Sequence, residues 1–231
     1  MSSAGAVRLG AASWPEVRTG TLLVPLGSLE QHGSHLPLDT DTRIAQALAD
    51  RVAADNAGHV LVAPPVAYGA SGEHEGFPGT ISIGSTALRD LLIELVRSAT
   101  RTFPRVVLVS GHGGNLDGVR NALRALRSES RDVVSWFAAV PRGDAHAGRT
   151  ETSLMLALAP HLVRPAPWDA GPTTPLAELM PRLRSVGVAG VSRTGVLGEP
   201  AGATAAEGTQ LLDKLAGQLA PLVTARRRDS A

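Results

Sequence analysis

Fifteen residues, Gly27 to Asp41 (GSLEQHGSHLPLDTD), hold Glu30, His32, His35, Asp39 and Asp41. Imidazole and carboxylate donors in one set suit Zn, Fe or Mn, whereas a set of oxygens alone suits Mg or Ca. Two later segments carry the same chemistry: SGHGGN at 110–115 with His112, and DAHAGRTETS at 144–153 with His146 and Glu151. Glu30 and His32 are two apart, so an extended segment points both to one side. Asp41 has two oxygens and can bridge two ions. The glycines around His112 allow close approach of backbone and substrate. Glu151 falls in the first turn of an expected helix, where an anion is favoured. Together Glu30, His32, Asp41, His112 and Glu151 offer enough donors for two ions with open positions, the requirement for a catalytic rather than a structural centre.

Composition narrows the alternatives. The chain has 231 residues and no cysteine. Thiolate nucleophiles, disulfides and thiolate zinc sites are excluded, so a metal must be held by His, Asp and Glu. The net charge of +1 gives no electrostatic case for nucleic acid or a membrane surface. Apolar residues make up 43% and aromatics 3%, so the core is aliphatic. No secretory signal pattern or membrane-length apolar run is present, which points to the cytoplasm.

The elements that must position these residues follow from hydrophobic patterning. Buried strands are expected at 21–26, 59–66, 105–111 and 133–140. Helices are expected at about 42–54, 86–102 and 115–129, and another from Thr150, with Thr150 as its N-cap. This alternation predicts an α/β fold, three-layered, with a mainly parallel central sheet flanked by helices. The three donor-rich segments each follow a strand, where ligands bind in such sheets. Residues 68–80 read as a functional loop, and 164–200 as an irregular covering segment or subunit contact. We expect residues 1–17 to be partly disordered, 18–224 to form a single domain and 225–231 to be a basic, solvated tail.

GSLEQHGSHLPLDTD, SGHGGN and HAGRTETS resemble the creatininase family of metal-dependent amidohydrolases, over about Pro25 to Gly208. YGASGEHEGFPGTISIG at 68–84 and GVLGEPAGATAAEG at 195–208 are similar to the branch of that family that processes the mycofactocin precursor. The resemblance implies that Glu30, His32, Asp41 and His112 are ligands, with Asp41 the bridge, and that His146 is the active-site histidine. It also implies two divalent ions, Zn with Fe or Mn, and a homo-oligomer, often a hexamer. The substrate implied is a radical-modified precursor peptide, cut near its C-terminus to release a cross-linked Val–Tyr-derived unit. One position departs from the family pattern: Gly114 stands where a Glu ligand is expected. Either Glu151 supplies the missing carboxylate or the ion is one ligand short. His35 and Asp39 are expected to orient ligands, His35 through Asp39 or Asp41. Glu73 and His74 are expected to border the substrate, and His59 and His161 to be structural. Two other functions fit the same residues: hydrolysis of a small cyclic amide or formamide, and a non-catalytic metal-binding assembly role.

Overall fold

The computed structural model describes residues 7–141 and 143–224. Its centre is a five-stranded sheet in the order β1-β3-β2-β4-β5, every pair parallel. The strands are β1 (Val7–Arg8), β2 (Thr21–Leu26), β3 (Val60–Val62), β4 (Arg105–Ser110) and β5 (Val133–Phe137). β2 (TLLVPL) is buried at every position, and β4 (RVVLVS) at all but its first. A strand covered on both faces has no use for a polar alternate, so it reads as one apolar run.

The described residues form six helices, all but the fifth packed on the two faces of the sheet. They are α1 (Thr40–Asp55), α2 (Gly84–Ala99), α3 (Leu116–Ser128), α4 (Arg149–Leu158), α5 (Leu176–Val186) and α6 (Ala205–Thr224). Leu22, Val24, Leu26, Val106 and Leu108 pack toward α2 and α3, with Leu88, Leu92, Val119 and Leu126. Leu23, Val107 and Val109 face the other way, against Ile44 and Leu48 of α1, Met155 of α4 and Leu215 and Leu219 of α6. The result is the three-layer, parallel α/β architecture that the patterning predicted. Among the described residues, no helix is long and apolar enough to cross a membrane.

Several local expectations need correction. The strand expected at 59–66 pairs only over Val60–Val62, with a single further bridge from Val66 to Leu26. Pro64 and Pro65 have no N–H to continue the ladder. The 164–200 segment is not wholly irregular: it contains α5. Thr150 does not cap α4. Gly148 is the N-cap, and the first amides, those of Arg149 and Thr150, donate to the Asp144 carboxylate. Of the stretch expected to be partly disordered, residues 7–16 hold β1 and two 3-10 turns. Residues 1–6 and the basic run at 225–231 lie outside the described residues.

β3 lies on one side of β2 and β4 on the other, so the chain reverses its direction of sheet growth between β2 and β4. The crevice beyond the carboxyl ends of such a strand pair is where ligands bind in open α/β sheets. The loop after Leu26 and the loop after Ser110 both emerge there, next to each other.

Candidate metal centre

Four segments converge on that crevice. Glu30 and His32 come from the loop after β2, and Asp41 from the first turn of α1. His112 follows β4, and Glu151 lies in the first turn of α4. Asn115 ties the loops together. Its Nδ2 donates to the Gly27 carbonyl (3.0 Å) and its Oδ1 accepts from Ala70 N (2.9 Å).

Asp41 stands at the middle. Its Oδ1 lies 3.3 Å from His32 Nε2, and its Oδ2 lies 3.1 Å from His112 Nδ1. Oδ2 also accepts from Ser28 Oγ at 2.7 Å. Glu30 Oε1 lies 3.2 Å from His112 Nδ1, and Glu151 Oε2 lies 3.9 Å from His32 Nε2. His112 thus links Glu30 to Asp41, and His32 links Asp41 to Glu151. Asp41 turns one oxygen to each histidine.

His146 and His74 complete the cluster. Their rings are 4.4 Å apart, and His146 is also 4.4 Å from His32. His146 Nδ1 lies 3.8 Å and His74 Nε2 3.4 Å from the same Glu30 oxygen. The sets Glu30–His74–His146, His32–His146–Glu151 and Glu30–His32–Asp41 each bring three donor atoms within 4.8 Å of one another. His146 therefore sits as close to the carboxylates as a ligand would.

The electrostatics favour a cation. Both Glu30 oxygens are buried and lack any hydrogen-bond partner. A buried carboxylate without partners is costly, and divalent cations would supply the missing partners. Burial alone would raise Glu30, but His112 beside it holds the carboxyl down at about 2. Asp41 is likewise held well below the usual range, burial being outweighed by His32 and His112. The counterpart is that His32, though buried, is pushed up to about 10 by Asp41 and Glu151, and His112 is raised well above its ordinary value. Two protonated imidazoles stand in for the positive charge that the carboxylates demand. Burial lowers His74 to about 4 and His146 well below its ordinary value, and raises Glu151 to about 7. A metal would displace the protons on His32 and His112 and use the same nitrogens.

Other expected residues are placed differently. His35 does not reach Asp39 or Asp41. Its Nε2 pairs with Thr152 Oγ1 at 2.9 Å and its ring stacks on Trp168. Asp39 points outward and pairs with Arg43, one turn along α1. His59 and His161 are exposed and outside the cluster. Glu73 lies at the mouth, its side chain 34% exposed. His74 lies inside the cluster, 4% exposed. Gln31, also buried, was not singled out from sequence. Its place between Glu30 and His32 was the available signal. A cavity of about 540 Å³ adjoins the centre through Asp144 and Ala145, and none of the cluster residues lines it.

Gly114 is enclosed. A Cβ there would stand 2.4 Å from His112 Nε2, 2.5 Å from the Ala70 carbonyl and 2.5 Å from Glu73 Oε1. The space that a side chain at 114 would need is already filled.

The creatininase model, creatinine amidohydrolase, matches residues 11–223. The chain belongs to the creatininase family. A relative from Mycolicibacterium smegmatis, named mycofactocin precursor peptide peptidase, is 55% identical over 84% of this chain and 80% of its own length. A creatininase mutant solved with creatine shares 30% identity and superposes with a TM-score of 0.76, over 94% of this chain and 96% of that one. A Zn–Zn form of a creatininase mutant shares 28% identity over the same fractions, with a TM-score of 0.72. This creatininase-family chain thus shares the fold of those structures and has glycine at 114.

Proposed function

We propose that this chain is a metal-dependent peptidase that cleaves the radical-modified mycofactocin precursor near its C-terminus, releasing the cross-linked Val–Tyr-derived unit. The observation that carries this reading is the 55% identity to the M. smegmatis peptidase across most of both chains. The buried carboxylate–imidazole cluster supports hydrolysis rather than binding alone, since it holds ionisable groups beyond those needed as ligands.

Glu30, Asp41 and His112 would hold one divalent ion, and His32, Asp41 and Glu151 the other, as Zn with Fe or Mn. When bound, the ions supply a Lewis acid for the amide carbonyl and lower the pKa of water. The chain's own residues do the rest. Buried Glu30 and His32 are both fully shielded from solvent, which keeps bulk water from competing at the centre. His146 is neutral near pH 7 and turns Nδ1 toward Glu30. It takes a proton from the attacking water at Nδ1 and returns it to the departing nitrogen. No Ser or Cys nucleophile is required. We place the chain in the cytoplasm as a homo-oligomer, which light scattering on the purified protein would size.

The test is mass spectrometry of products after the metal-loaded protein meets the modified precursor peptide. Release of the C-terminal two-residue unit is expected. Turnover of creatinine or a formamide, with the peptide left intact, would overturn the assignment.

A further inference from the structure

Gln31 lies between His74 and His146, two of the three histidines that face Glu30, and each accepts or donates through a different group of Gln31. Its side-chain orientation is set by backbone partners that have no alternative role. Gly33 N–H, which can only donate, reaches Oε1 at 2.8 Å; the Gly195 carbonyl, which can only accept, lies 3.1 Å from Nε2. Gly195 has φ of +80° and lies so close that a Cβ there would stand 1.9 Å from Oε1. The amide is therefore clamped, with its nitrogen fixed as a donor.

One amide N–H goes to Gly195. The other is directed at His74 Nδ1, 2.8 Å away. A ring nitrogen that receives a hydrogen bond must offer a lone pair, so a neutral His74 carries its proton on Nε2. That Nε2–H faces Glu30 Oε1 at 3.4 Å. For His146 the contact is with the main chain. Its Nε2 lies 2.7 Å from the Gln31 carbonyl oxygen, which can only accept. Nε2 is therefore the protonated nitrogen, and bare Nδ1 faces Glu30 Oε1 at 3.8 Å. The 3.1 Å approach of Gln31 Nε2 to His146 Nε2 brings two donors side by side, each with its own acceptor elsewhere.

We infer that Gln31 is a positioning residue that sets the proton on both imidazoles, so that His74 turns an N–H and His146 a lone pair toward the same Glu30 carboxylate. His74 then turns a proton rather than a lone pair to Glu30 and does not compete with it for an ion, although Glu30, His74 and His146 are spaced as a metal triad. His146 is left with the free nitrogen that proton transfer needs. The catalytic meaning of this arrangement rests on the peptidase reading. The proton placement does not.

The deciding measurement needs no substrate. The metal-loaded protein, labelled with ¹⁵N-histidine, would be observed by long-range ¹H–¹⁵N correlation, with His74→Asn and His146→Asn each identifying one ring. Both rings are expected to carry the proton on Nε2. In Gln31→Glu the donor at His74 Nδ1 becomes an acceptor, so His74 should move its proton to Nδ1. His146, held by the backbone carbonyl, should not change. At saturating metal, His74→Ala should keep the wild-type ion stoichiometry while activity falls about 10–100-fold, the range for outer-shell partners. A wild-type His74 protonated on Nδ1, or loss of an ion in His74→Ala, would overturn the inference. The wild-type spectrum decides it even if the Gln31 variant does not fold. Correct proton placement without peptide cleavage would instead count against the peptidase reading alone.

Discussion

Glu73 occupies the space that Gly114 leaves empty: its Oε1 lies 2.5 Å from where a Cβ on residue 114 would stand. The Ala70 carbonyl, at the same distance, is backbone and cannot swing away. Gly114→Ala should therefore destabilise the fold by about 1–3 kcal/mol, the usual cost of overpacking, read as a lower urea midpoint. Gly114→Glu should lose metal rather than gain it, because the added chain must displace His112 or Glu73. A Gly114→Glu protein with raised metal affinity and unchanged stability would show that the pocket can open.

Asp41 gives one oxygen to His32 and the other to His112. As the proposed shared ligand, its removal should cost both ions. Asp41→Ala is expected to lose metal and activity together, measured by elemental analysis beside turnover. Two tightly held ions per chain in the variant would take Asp41 out of that role.

His146→Ala separates proton transfer from ligation. If His146 only moves the proton, the variant should keep its ions and hydrolyse the peptide about 100-fold more slowly or worse. Loss of an ion would instead make His146 a ligand, consistent with its spacing to His32 and Glu151. A metal-loaded structure gives the complementary reading at Glu151, whose carboxylate should lie about 2.0–2.2 Å from a zinc-type ion.

The pH dependence of the metal-free protein follows from the cluster. His32 is raised from 6.5 to about 10, so its contribution is complete below 6.5 and is lost as pH rises through about 10. Glu151, raised from 4.5 to about 7, adds a loss in the same direction between those values. Glu30, lowered from 4.5 to about 2, contributes above 4.5 and is lost as pH falls through about 2. His35, His74 and His146, lowered by burial, act in the opposite sense below 6.5, so the urea midpoint of stripped protein should decline only from about pH 7 to 10. Bound divalent ions replace the protons on His32 and His112, so the loaded protein should decline less. Equal slopes for the two forms would show that these imidazoles do not carry the cluster's charge.

Much of this was legible in the chain. β2 and β4 are unbroken apolar runs, and the donor segments follow strands, so the crevice could be located from pattern alone. Glu30, His32, Asp41, His112, His146 and Glu151 do meet in one cluster. What pattern could not carry is direction. His35 and Asp39 sit in the same fifteen residues, yet one turns to Thr152 and the other to Arg43, because the loop after Glu30 folds back rather than staying extended. His74 stands in a glycine-rich stretch that looks superficial, and long-range contacts with Glu30, Gln31, His112 and His146 bring it inside. α6 was not among the expected helices, although Leu212, Leu215, Leu219 and Val223 stand at helical spacing. α5 was obscured by Pro181 within it and by the prolines and glycines around it.

β2 and β4 are interior strands, each paired on both edges over the register Thr21–Leu26 with Arg105–Ser110. Interior strands open last in native-state hydrogen exchange, and loosely fastened segments open first. The half of the centre that hangs from these strands, Glu30 and His112, is therefore anchored to the slowest-exchanging part of the molecule. The opposite wall is different. It is the 190s loop, joined to His146 by the paired amides of residues 146 and 197 and to Gln31 through Gly195. That wall is held by loop contacts rather than by a strand ladder, with Val196 and Leu197 buried at 0% and 4% exposure. Slow amides in β4 beside faster ones near Gly195 would be the signature of that difference.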